Sequence, residues 1–499
     1  MKLCRIDTTG GSREIIARLR DIEALLEDQS DALASLRHDG PRAYGNSQTS
    51  PQSQMSSIML NTQNTDTAMT ETEDLPPLTI PVQHRTSSNY LLTLPAVKSL
   101  IGENPPDLFY RLEARSPVPS VLDVESLMPF NPPLPPPDIT RNEADELVAE
   151  FFATAHPNHP VLNQEVFQNT YDRFMSSTLN ASIEGAQCLV VLAIGAVLQS
   201  LPDNEHSFCE TPPGIMYMQQ ALPTLILHSS WSFSSSLVLP QTLVLASLYF
   251  AYIVRPLQSW KLIQTASSNL QLKLSAIKTR EESPSSKETI IRLFWSCFLI
   301  ESDRLAELEL PRSGLQQLTD SISLPDCTNL SLMQSTCYLA EISIRRLLNR
   351  VHNSLYPSKQ HFLALSATAL TAPEDMSLAE VLSMASVCDE LYSQLQMWHT
   401  SIPEAFRPSL DITMSSNENS DRERILRIRY YAARHIIWRP FVIYIANHGM
   451  AGVPNVVLDR AMVCLDSCRN YIHNAMIVLQ RPSVYTWTFS LSYVFPHRH

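Results

Sequence analysis

From Thr140 onward, apolar residues recur every three or four positions, and this spacing predicts one amphipathic helix after another. Thr140, Arg141, Asn142 and Glu143 form a capping box, in which the Thr140 hydroxyl can accept from the Glu143 amide and the Glu143 carboxylate can reach back. A helix should therefore start there, bury Ala144, Leu147, Val148, Phe151 and Phe152, and end at His156, because Pro157 disfavours helix at the residue before it. Gln164 to Thr178 carries Val166, Phe167, Tyr171 and Phe174 on one stripe, and Ala186 to Leu198 is apolar on all faces. Gln241 to Val254 and Ser259 to Leu274 follow, with helical patterns continuing to Phe495 and few strand-like alternations. The reading is an all-α domain over 138–499, too large for a simple bundle.

The first part of the chain differs. Within 12–37, Ile15, Leu19, Ile22, Leu26, Leu33 and Leu36 alternate by four and three, with Gln29 as the one polar position, which is a heptad seam. Arg18 and Glu23 take g-type and e-type positions, so a parallel partner could pair them across the seam. An alternative is a helix docked on its own domain, since a seam does not name its partner. Residues 38–137 turn to Ser, Thr, Gln, Asn and Pro without periodicity, and read as a disordered linker closed by a proline tract at 132–137. Residues 1–11 form a short N-terminal remnant.

Composition narrows the chemistry. Only 11 of 499 residues are glycine, about 2% against a usual 7% or so. No GxGxxG, GxxxxGK[ST] or GxSxG motif can be written, so dinucleotide folds, phosphate loops and nucleophile elbows have no support. Lys and Arg number 37 against 50 acids, a net charge of −13, which repels nucleic-acid backbones. DNA binding by this chain is expected to be weak or indirect. No signal-type stretch opens the sequence and its nine cysteines include no CxxC, which points to a reducing, intracellular setting. Leu237 to Val254 is the nearest approach to a membrane span, but Pro240, Gln241 and Thr242 interrupt it and no cationic flank precedes it, so a buried helix is expected.

Candidate catalytic and metal-ligating groups are few. His156 and His159 flank a Pro-Asn turn and bring no third ligand. Cys464 and Cys468 share a helix face but lack companions at zinc-ligand spacing, so they read, like Cys188, Cys297 and Cys388, as small buried hydrophobes. Glu301, Asp303 and Glu307 are acidic neighbours without the paired motifs of a metal-diphosphate site. No catalytic residue, cofactor or resident metal is assigned.

The most telling stretch is Arg292 to Pro325. Phe294, Trp295, Phe298, Leu299 and Leu305 keep helical spacing, Asp303 and Arg304 follow near the helix end, and a loop closes at Leu324-Pro325. This resembles the regulatory domain (middle homology region) of fungal zinc-cluster transcription factors. Other segments resemble the same domain in order: Asp138 to Gln199, with its His-Pro turn; Trp260 through Leu274; Leu391 to Pro408, which contains Trp398; and Arg429 to Val442, which contains Arg439 and Pro440. The resemblance implies a nuclear regulator of RNA polymerase II transcription acting on a pathway-specific gene set, with Trp260, Trp295, Asp303, Arg304, Trp398, Arg439 and Pro440 as core positions. It also implies a six-cysteine zinc cluster ahead of a heptad helix. Here only Cys4 stands before Cys188, as a candidate remnant of the last ligand, and zinc is expected only if an upstream cluster exists. Both ends look clipped by that standard, and the usual Gly-Arg-Pro of the central loop is replaced by Pro311-Arg312. Residues 12–37 then imply a homo- or heterodimer with other transcription regulators, no membrane, and room for a small-molecule effector. The competing expectation is a helical ligand-binding protein or enzyme without a transcriptional role.

Overall fold

The computed structural model describes residues 80, 84, 86–103, 111, 122, 139–176, 182–200, 212–232, 236–277, 284–308, 310–356, 376–410, 421–480 and 483–486. The heptad stretch with Ile15, Leu19, Ile22, Leu26, Leu33 and Leu36, Cys4 and the proline tract at 132–137 lie outside them. Regular structure among the described residues is helical throughout: α1 Ser88–Thr93, α2 Pro95–Ile101, α3 Arg141–Glu150, α4 Gln164–Met175, α5 Ile183–Gln199, α6 Ile215–Trp231, α7 Val238–Tyr252, α8 Pro256–Ile277, α9 Pro284–Leu308, α10 Leu332–Leu355, α11 Leu378–Ser401, α12 Asp421–His448 and α13 Asn455–Val478.

The capping box forms as the sequence requires. The Thr140 amide donates to Glu143 at 2.9 Å and the Glu143 amide donates to the Thr140 hydroxyl at 3.3 Å. Past Glu150 the chain does not stop cleanly at proline. It widens into a π-helical turn over Phe151–Ala155 and tightens into a 3₁₀ turn over His156–Asn158. The two changes of pitch keep Phe151 and Ala155 in the core while the chain turns.

α5 and α7 are buried nearly all round, as their continuous apolar runs demand. α7 is the stretch that came nearest to a membrane span. No helix among the described residues is long and apolar enough to cross a membrane. One contiguous apolar core runs from α3 to Tyr485, with α12 and α13 paired along their lengths and α10 and α11 packed on α12.

At Gly195, α5 meets α3 so closely that a Cβ would lie 2.3 Å from the Leu147 carbonyl oxygen. Gly195→Ala would ordinarily gain up to about 1 kcal/mol of helix propensity. Here the neighbour is backbone, and we expect a net loss of roughly 1–3 kcal/mol in denaturant melts. A stabilised variant would show that the two helices part freely.

One part of the segment read as a linker is built into the body. Ser87 caps α1 by accepting from the Tyr90 amide, and Pro95 opens α2 at the position where proline costs no helix bond. Leu92 packs with Val97, Ile101 and Leu308, and Ile80 packs with Leu305 and Ala306. The helices are too short, at 6 and 7 residues, for their spacing to stand out in a polar stretch.

Candidate functional site

Where α9, α10 and α12 cross, the apolar core contains a cluster of charges. Asp303 of α9 accepts two hydrogen bonds from Arg429 of α12, at 2.7 and 2.6 Å, and one from Arg345 of α10 at 2.9 Å. Arg429 also reaches Glu341 of α10 at 3.2 Å and lies over the Tyr485 ring at 5.2 Å. Burial alone would push the Asp303 carboxyl up, but the guanidinium groups of Arg429, Arg345 and Arg304 outweigh it and hold the group at about 2. Glu341 moves the other way, because burial dominates over its single arginine contact.

Arg304, next along α9, faces elsewhere: it donates to the Ser259 hydroxyl at 3.3 Å and to the Val484 carbonyl at 3.5 Å. Neighbouring positions on a helix do not share a face. The Asp-Arg pair therefore ties α9 to α10 and α12 through one residue, and to α8 and residues 483–486 through the other.

From Arg345 a polar chain continues outward. Its Nε donates to Asn349, the Asn349 amide donates to Ser302, Gln316 donates to the same hydroxyl, and the Ile80 amide donates to Gln316. A second chain begins at Leu305, whose carbonyl accepts from His84 Nε2 at 3.1 Å. This sets the tautomer, so the Thr86 hydroxyl donates to His84 Nδ1 and accepts from His352 Nδ1 at 2.6 Å. Arg439 Nη1 completes the clasp by donating to the Thr86 carbonyl at 3.1 Å.

Beside the ion pairs lies a cavity of about 30 Å³ lined by His159, Tyr338, Glu341, Arg422, Arg429 and Tyr485, among others. It has room for about two waters. His159 Nδ1 and Glu341 Oε1 have no protein hydrogen-bond partner. His159 is held at about 4 by burial, so it is neutral at neutral pH. His156, three residues back, locks the turn instead: its Nε2 lies 3.0 Å from the Leu162 carbonyl. His156 thus bonds the turn, whereas His159 lines the cavity.

The other positions singled out by resemblance are dispersed supports. Trp295 Nε1 donates to the Ser323 carbonyl at 2.8 Å, and Trp398 Nε1 to the Ala340 carbonyl at 3.1 Å. Trp260 donates to the Pro311 carbonyl at 3.3 Å, which pins the central loop. That loop finds its left-handed residue at Gly314, φ 91°, two positions after Arg312. Pro440 sits inside α12, where its ring nitrogen cannot bond the Ile436 carbonyl. The Tyr356 hydroxyl donates to that carbonyl at 2.6 Å instead, while the thiols of Cys464 and Cys388 donate to the carbonyls of His435 and Ile437.

The acidic neighbours diverge. Glu301 accepts from the Ser313 amide at 2.6 Å and from the Ser313 hydroxyl at 2.7 Å, whereas Asp303 accepts from Arg345 and Arg429. No group of three His, Cys, Asp or Glu among the described residues could hold a metal ion. Cys188, Cys327 and Cys388 are pushed up to about 12 by burial, which suppresses thiolate chemistry. What the arrangement does is fix five separate segments to one charged centre. Sequence reasoning missed Arg345, Arg429 and Glu341, whose only signal was charge inside apolar helices.

Comparison with protein families matches residues 148–303 to the fungal specific transcription factor domain. Over those residues the chain is similar to that domain, and the matched stretch runs from α3 to Asp303 itself. Comparisons with curated proteins and with solved structures gave no match.

Proposed function

We propose that the protein is a nuclear transcription regulator of the fungal zinc-cluster type, controlling RNA polymerase II transcription of a pathway-specific gene set. Its helical domain is the regulatory body, and residues 12–37 join it to an intact zinc-cluster relative that contacts DNA. The match over 148–303 carries this reading. Charge supports the indirect DNA contact: a net charge of −13 disfavours approach to phosphate backbones. Seven of its nine cysteines lie in the helical body, six of them buried, and are not placed to form a six-cysteine cluster. A small-molecule effector entering the cavity beside the ion pairs would have to open the body, since that cavity holds about two waters.

The test is promoter binding by the purified chain, alone and mixed with intact zinc-cluster relatives, at about 150 mM salt. The chain alone should show no sequence-specific retention and the mixture should show an altered complex. Tight specific binding by the chain alone would sink the proposal, as would failure to alter the complex of any relative.

A further inference from the structure

α13 has two faces. Val457, Ala461, Cys464, Ser467, Tyr471, Ala475 and Val478 are buried, on the side that meets α12. On the opposite side stand Met462 at 57% exposure, Leu465 at 42%, Ile472 at 38% and Met476 at 50%. With half-buried Leu458 and exposed Arg469 they alternate by four and three along the helix, which is a heptad seam with one charged position. An exposed apolar stripe interrupted only at Arg469 marks a surface made to be covered.

We infer that this stripe is the docking surface for residues 12–37 of the same chain, laid antiparallel along α13. The register follows from the polar positions. In an antiparallel pair, a-type residues face d-type residues, and Gln29 is of d type while Arg469 is of a type. Setting the two opposite each other gives the buried guanidinium an amide acceptor. The same register brings Leu36 to Met462, Leu33 to Leu465, Leu26 to Ile472 and Ile22 to Met476. At the flanks it sets Arg37 beside Asp459 and Glu23 beside His473, and no like charges meet.

A second copy of α13 fits less well. Every antiparallel self-register that faces a with d near the centre buries Arg469 twice against Leu465 or Ile472, and one of them sets Asp466 against Asp466. The tether is long enough. Ile80 is fixed at Gln316 of the body, and the 42 residues 38–79 between it and the seam reach up to roughly 140 Å. Docking covers the seam that a partner regulator needs, so the seam becomes available only when α13 releases it.

Hydrogen exchange on the full chain tests this. Residues 12–37 should exchange slowly, at a rate independent of protein concentration. The surface variant Met462→Asp with Ile472→Asp should speed their exchange at least about ten-fold while leaving α12 protected. Arg37→Glu should give a smaller increase that Asp459→Arg, added to it, reverses. Fast exchange of 12–37 in the unaltered chain would overturn the proposal. So would slow exchange that survives the α13 substitutions, which assigns the seam to a second copy's 12–37 where protection grows with concentration.

Discussion

Acidification from about pH 7.5 to about pH 5 is expected to strip the folded protein of several kcal/mol of stability. Four histidines, His84, His156, His159 and His352, are buried, His435 is half-buried, and all five are held neutral. Burial brings the first three to about 4 and His435 to about 3, and takes His352 well below the ordinary 6.5. Below about 6.5 the unfolded chain takes up protons at these positions and the folded chain does not, so stability is present above that value and is lost as pH falls toward about 4. At pH 5 each of His84, His156, His159 and His435 contributes a loss of about 2 kcal/mol, and with His352 adding in the same direction the total is on the order of 10 kcal/mol. Glu301 and Glu341, raised by burial, bind protons in the folded state above 4.5 and offset part of this. Thermal melts between these two pH values should show Tm falling steeply on the acid side. A flat or rising profile would contradict the buried-neutral assignment.

Asp303→Ala is expected to be the most damaging single substitution. It leaves Arg429 and Arg345 without their shared counter-charge, with side chains only 5% and 3% exposed. Removing one partner of a buried pair costs about 3–5 kcal/mol, far more than a surface pair contributes. The expected fall in Tm is on the order of 10 °C. The deficit belongs to stranded charge rather than to lost volume, so removing the cations as well should recover much of it. Asp303→Leu combined with Arg345→Met and Arg429→Met should unfold at higher temperature than Asp303→Ala alone. If the triple variant is worse than the single one by the sum of its parts, the three residues are not coupled and the cluster is not a unit.

Local signals carried much of the architecture. The capping box at Thr140, Phe167 and Tyr171 of α4, and the all-round apolar runs of α5 and α7 depend on residues within a turn or two of each other, although Val166, read on the same stripe as Phe167, is exposed. Their spacing reports them directly. The Asp303-Arg304 pair could be recognised as two charges with different partners, because adjacent helix positions diverge. The partners themselves could not be found: Arg345 is 42 residues away and Arg429 is 126. Only the crossing of α9, α10 and α12 brings them together. His159 is a similar case, since the turn was legible but the cavity it faces is lined by four distant helices, α7, α9, α10 and α12. The loop around Pro311 showed its missing glycine, while the compensating Gly314 became meaningful only through its dihedral.

The clasp made by His84, Thr86, His352 and Arg439 redraws where the folding unit starts. A chain trimmed to begin at 138 would remove Thr86 and leave His352 Nδ1 with an unmet donor inside the body, Gln316 short of a donor, and Leu305 and Ala306 without the side chain that covers them. Composition draws the boundary at the proline tract; hydrogen bonding draws it near residue 80. The shortest fragment able to close its own interior therefore includes over fifty residues that look, by their letters, like spacer.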